Sequence, residues 1–161
     1  MSKIYSSDVE ISLRLMAILQ FFTEEAVSID RLVSYDFLIL HGNDVFGQLQ
    51  SLHPKTPNSS TEFLIKRELF KRGLHLLISK ELISVVIDKI GIRYKGTLLT
   101  SKFCQRLNSA YSKKLYFTVR SVIEAASAFS DSDLEGKIKI RLLTQDSLFK
   151  SEAVFLNYAN G

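Results

Sequence analysis

Apolar positions recur every three or four residues through most of this chain, a helical period broken near the middle by a β-branched run. Ile11, Leu15, Ile18 and Phe22 form one stripe behind Ser7 or Asp8, either of which can cap a first helix. Leu13, Met16, Leu19 and Phe21 add apolar surface off that stripe, which predicts a helix buried on more than one side. Glu24 and Glu25 end the run. Ser28 then caps a second helix with Ile29, Leu32, Val33, Phe37 and Leu40 inward and Asp30 and Asp36 on the wet side. His41-Gly42-Asn43 stops it, because Gly and Asn accept the left-handed conformation at a helix end.

A polar connection over residues 44–60 holds both prolines, Pro54 and Pro57. In a compact domain a connection of that length either carries function or stays partly disordered. Ser60 or Thr61 opens a third helix, from Glu62 to about Ser79, with Glu62 reaching back towards free backbone donors. Ile65, Leu69, Phe70, Leu76 and Leu77 gather on one side, with Glu68, Lys71, Arg72 and His75 opposite. Lys66 falls within the apolar sector, where a lysine either snorkels or pairs with Glu62 one turn earlier. Two β-prone runs, 82–87 and 90–94, flank the polar turn Asp88-Lys89 and predict a hairpin. Three helices followed by a two-stranded wing is the order of a winged helix.

Beyond the wing, Thr97 or Thr100 starts a short helix through Phe103 and Leu107. A longer helix over about 110–129 carries the stripe Leu115, Val119, Val122, Ala126 and Phe129, with Tyr116 and Ile123 as a second, partial one. Asp131 and Asp133 mark a break and a new cap. Leu134, Ile138 and Leu142 then suit a helix, whereas Ile138, Ile140 and Leu142 suit a strand; the pattern leaves both open. Asp146 or Ser147 can cap a last short helix through Leu148, Phe149, Val154, Phe155 and Leu156. The expected fold class is mainly α with a small β-hairpin. A winged-helix-like core occupies 1–97, with its loop at 44–60 and its wing at 82–97, and a helical extension over 98–161 packs on it.

Composition narrows the functional classes. At 161 residues and 46% hydrophobic, the chain can bury a core of its own. No stretch approaches the roughly 20 apolar residues that span a bilayer, and the polar start lacks signal-peptide anatomy. Cys104 is the one cysteine, so no intrachain disulfide can form, which points to a reducing cytoplasm. The net charge of +4 is unevenly spread: −3 over residues 1–60, +9 over 61–120 and −2 over 121–161. A basic middle third suits nucleic acid or an acidic protein.

Catalytic constellations are poor. His41, His53 and His75 lack metal-ligand spacing and have no nucleophile or acid arranged beside them. Gly91 and Gly96-Thr97 mimic a phosphate loop, but the lysine before Thr97 is missing and the segment lies within the wing. Cys104, among stripe residues, reads as a small core hydrophobe. An enzyme, a metal site and a cofactor are therefore not expected. The candidate contacts to DNA or a partner are Lys66, Arg67, Lys71 and Arg72 on the third helix and Lys89, Arg93 and Lys95 on the wing. Glu62 and Glu68 oppose phosphates there, and no Asn or Gln on that helix reads adenine. Phe149, Phe155 and Tyr158 crowd the tail, which either docks on its own core or belongs to an interface.

Several of these segments, taken in order, resemble a known family. Glu10-Ile11-Ser12-Leu13-Arg14, Arg31-Leu32 with Tyr35-Asp36, Ser51-Leu52-His53-Pro54 with Pro57, and Glu62 through Leu69 are similar to the middle component of bacterial ABC-three component systems. So are Gly73 through Leu77, and Gly91-Ile92 with Tyr94 and Thr97. The resemblance covers roughly residues 8–120. Asn58-Ser59-Ser60-Thr61 departs from it, replacing an Arg and a Gly usual in the family, and Lys66 stands where Arg is more usual. Within it, His53, Pro54, Glu62, Gly91 and Tyr94 are the motif residues. The resemblance implies a non-catalytic partner of an SMC-like or Rad50-like ATPase and of a nuclease-type effector, with double-stranded DNA touched through the complex. Lamassu-type anti-phage and anti-plasmid defence is the setting it implies. A free-standing winged-helix transcription regulator is the alternative, and a hydrolase using His53 a distant third.

Overall fold

The computed structural model describes residues 8–52 and 59–144. In chain order these form α1 (Asp8–Leu19), β1 (Val27–Ser28), α2 (Ile29–His41), a 3-10 turn (Gly42–Asp44), α3 (Ser59–Ser79), β2 (Ile83–Asp88), β3 (Gly91–Gly96), α4 (Leu98–Arg106) and α5 (Ala110–Ala126). A further helix, α6, covers 131–144. The fold is mainly helical with a small antiparallel sheet, as the apolar periods implied. The expectations for His53, Pro54 and the aromatic tail fall outside the described residues.

α1 is buried on several sides: Ile11, Leu15, Ala17, Ile18 and Leu19 are fully enclosed. It lies so close to α3 that a Cβ on Gly73 would sit 3.1 Å from Ile11 and 3.2 Å from Leu15. The side chain of Ser28 accepts from the Arg31 amide and caps α2, as expected. Asp36, assigned above to the wet face, is fully buried instead, because every residue of α2 from Arg31 to His41 lies inside the molecule. α2 does end at His41, but Gly42 keeps right-handed geometry and runs into the 3-10 turn. Its lack of a side chain makes room for Leu49, which would otherwise lie 3.0 Å from a Cβ.

α3 starts at Ser59, ahead of the expected Glu62. Its inner row is Lys66, Phe70, Gly73, Leu74 and Leu77, whereas Ile65 and Leu76 stand more than a third exposed. The helix ends through Glu81, whose φ of 57° is left-handed, with the Leu82 amide donating back to the Leu77 carbonyl at 3.0 Å.

The sheet order is β1-β3-β2. The hairpin pairs Ile83 with Gly96, Val85 with Tyr94 and Ile87 with Ile92. Val27 pairs with Tyr94 and Ser28 with Arg93, so β1 adds a third strand that the pattern did not announce. Two residues behind Glu24-Glu25 are too few for alternation to show. Gly91, at φ 131°, closes the hairpin turn. Gly96 instead permits a close approach to α1. Any Cβ there would run into the Leu19 carbonyl, and its amide donates to Phe22 O at 2.8 Å.

Thr97 and Thr100 form a capping box on α4, and Ser109 caps α5. Leu115, Val119, Val122 and Ala126 of α5 are buried as their stripe predicted. The open choice over 134–142 resolves to helix. Leu134, Ile138 and Leu142 are buried while Ile140 is 69% exposed, and a strand would have put Ile138 and Ile140 on one face. Its cap is Ser130, which accepts from the Asp133 amide at 3.2 Å, rather than Asp131 or Asp133. Arg31 clamps this corner onto α2, donating to Ala126 O at 2.7 Å and Phe129 O at 2.6 Å. One buried cluster takes residues from all six α-helices.

Candidate functional site

The seven cations singled out by sequence have different fates in the fold. Lys66 is 2% exposed, and its Nζ lies 2.8 Å from Asp36 Oδ2. Arg14 Nε donates to the other carboxylate oxygen, Asp36 Oδ1, at 2.6 Å. Burial alone would push the Asp36 carboxyl up; Arg14 and then Lys66 outweigh it and hold it well below the usual carboxylate range. Three helices thus meet at one enclosed ion cluster. Lys66 faces neither DNA nor a partner, and it does not snorkel to the surface, because α2 brings a carboxylate into its sector.

The remaining cations of α3 are exposed but matched. Arg67 pairs with Asp30, Lys71 with Glu68 at 2.9 Å, and Arg72 with Asp8 at 3.3 Å. Such surface pairs add little stability, yet they leave this helix close to neutral. On the hairpin Arg93 pairs with Asp88. Lys89 is exposed and Lys95 half-buried, and among the described residues neither has an ion-pair partner. Gly91 shapes the turn and Tyr94 packs against the core, so both family-motif residues of the hairpin have architectural roles.

The unmatched positive charge lies further along the chain than expected. From residue 89 to 123 there are eight basic side chains and no acidic one. Lys102 and Arg106 on α4 and Lys113 and Lys114 on α5 are all exposed and, among the described residues, without ion-pair partners. The signal was readable as that acid-free run between Asp88 and Glu124; weighing only helix three and the wing hid its continuation into α4 and α5. Exposed apolar residues stand among these cations: Leu99 at 47%, Phe103 at 40% and Phe117 at 65%. The hairpin tip adds Ile87, Ile90 and Ile92, all more than half exposed.

An open cleft of about 490 Å³ lies between the hairpin and the helices, lined by Phe22, Tyr35, Ile90, Ile92, Arg31 and Ile123 among others. Two of its polar groups are engaged within the fold: Asp131 accepts from Ser28 at 2.7 Å, and Arg31 donates to the Ala126 carbonyl. Burial pushes the Cys104 thiol up, away from the reactive thiolate, and Tyr116 donates to the Cys104 carbonyl at 2.9 Å. Among the described residues no group of three His, Cys, Asp or Glu side chains is placed to hold a metal ion. No helix among them is long and apolar enough to cross a membrane.

The model of one family, ABC-three component (ABC-3C) system Middle Component 2, matches residues 4–145. The chain belongs to that family. No curated protein and no solved structure matches it. The Middle Component 2 match runs past residue 120, where the resemblance read from the sequence ended, and takes in all of α6. That extension agrees with Leu134, Ile138 and Leu142 lying in the common core. Three of the segments that carried the resemblance, Glu10–Arg14, Arg31–Asp36 and Glu62–Leu69, meet at Arg14, Asp36 and Lys66. As a middle component, the chain works with other components of a multi-component system.

Proposed function

We propose that this chain is a non-catalytic adaptor subunit of a bacterial SMC-like or Rad50-like ATPase complex in Lamassu-type anti-phage and anti-plasmid defence. In this reading it acts in the cytoplasm, bridges the ATPase heads and a nuclease-type effector, and needs no cofactor of its own. The observation that carries it is a family of middle components joined to a chain whose exposed cations and apolar side chains lie together without catalytic neighbours. Surfaces of that kind suit contact with another macromolecule.

A second reading, a free-standing winged-helix regulator, is favoured by the order helix, strand, helix, helix, strand, strand. It is weakened at α3, the helix that would enter the major groove, because each of its four cations has an acid beside it. Co-expression with the two components encoded beside it separates the readings. The adaptor co-purifies with both and, alone, hydrolyses neither ATP nor DNA. A chain that ignores both components but shifts its own promoter DNA in a gel is a regulator.

A further inference from the structure

We propose that the exposed row Leu99, Lys102, Phe103 and Arg106 on α4, continued along the chain by Lys113 and Phe117 on α5, docks an acidic amphipathic helix of a partner subunit. This rests on the adaptor reading and names the surface and the chemistry it takes.

On α4 the four positions follow i, i+3, i+4, i+7 spacing, so they share one helix face about two turns long. The opposite side of α4 is occupied: Thr100 and Cys104 are buried, and Thr100 is held in the capping box and against the Leu82 carbonyl. α5 follows after only residues 107–109, and the hydrogen bond from Tyr116 to the Cys104 carbonyl fixes it beside α4. The α4 face is therefore held in a fixed orientation by the buried Thr100 and Cys104, which lowers the ordering cost of association.

Charge decides the class of partner. With no carboxylate between residues 89 and 123, nothing local neutralises these cations, and an acidic partner gains from all of them. The interleaved side chains decide between nucleic acid and protein. Phosphate backbones offer Leu99 and Phe103 no apolar counterpart, because protein–DNA contacts are dominated by hydrogen bonds to phosphate and sugar. A protein interface places apolar anchors inside a charged rim, which is the composition of this row. A helix laid along a helix meets such spacing with its own i, i+3, i+4, i+7 side chains.

The test uses the full chain, co-expressed and then titrated against the ATPase and effector components encoded with it. The variants Lys102→Glu with Arg106→Glu, and separately Phe103→Ser, lower affinity for one of those components about tenfold or more. The thermal midpoint stays near wild type for the charge variant, whose side chains are exposed, and falls only modestly for Phe103→Ser, whose ring is 40% exposed. Lys102→Arg with Arg106→Lys retains binding, and Lys71→Glu on α3 has no effect. The wild-type complex weakens as salt rises. Unchanged binding by folded Glu and Ser variants overturns the proposal. So does loss of affinity for a 30-base-pair duplex while both components stay bound, which would make the row a nucleic-acid surface. If wild type binds neither component, the adaptor reading itself fails and takes this inference with it.

Discussion

Asp36 lies at the centre of the helical body, its two oxygens divided between Arg14 at 2.6 Å and Lys66 at 2.8 Å. All three side chains are at most 3% exposed. Each comes from a different helix, so the cluster can form only when α1, α2 and α3 adopt one mutual register. Such groups are costly to desolvate and contribute chiefly by excluding other packings.

Asp36→Asn removes the carboxylate that both cations share while keeping the shape. The expected loss is about 3–5 kcal/mol, read from urea denaturation. Replacing all three residues by apolar ones of similar volume recovers much of it. A loss under about 1 kcal/mol for the single change would show that the cluster does not hold the helices.

The same carboxylate sets an acid limit. Its folded-state pKa lies below the unfolded value of about 3.9, so its contribution is fully present above the unfolded value. As pH falls from there towards the folded value, the contribution is lost. Thermal midpoints should therefore drop below about pH 4 in wild type. They should drop less steeply in Asp36→Asn, which has no such proton to bind.

Arg31→Ala removes the donors that hold the Ala126 and Phe129 carbonyls at the corner between α5 and α6. Charged hydrogen bonds of this kind are worth about 1.5–3 kcal/mol. Hydrogen exchange should quicken first in α6, ahead of α1 and α3. Uniform quickening across all helices would show that the corner has no separate stability.

Two glycines should respond differently to alanine. At Gly73 a methyl meets the flexible ends of Ile11 and Leu15, which can give way, so the cost is about 1 kcal/mol. At Gly96 it meets the Leu19 carbonyl, backbone that cannot move alone, and the cost is about 3 kcal/mol or more. Equal midpoints for the two variants in urea would contradict this difference.

Much of the fold was legible because its signals are local. The caps at Ser28 and Thr97 act within one turn, and the stripe on α5 needs only its own period. The hairpin followed from a β-branched run around a polar turn. β1 escaped because two residues show no period, and 134–142 stayed open because its apolar residues fit both periods until burial chose one. The candidate site was less legible. Asp36 looked like a solvated acid, since it lies in a helix whose opposite face is apolar enough to be the inner one, and Lys66, within the apolar sector of α3, looked like a snorkelling cation because its partner lies on another helix. The basic row on α4 and α5 was in plain view as an acid-free stretch.

By itself, the order of residues determined most of the helical segments, where a hairpin turns and that one apolar core is available. Those properties depend on neighbours a few positions apart. Only the tertiary structure decided which charges are enclosed, which are neutralised and which remain to meet a partner. The reason is physical: a charge is cancelled by whatever lies within about 4 Å in space, and for Arg14, Asp36 and Lys66 those neighbours come from three separate helices.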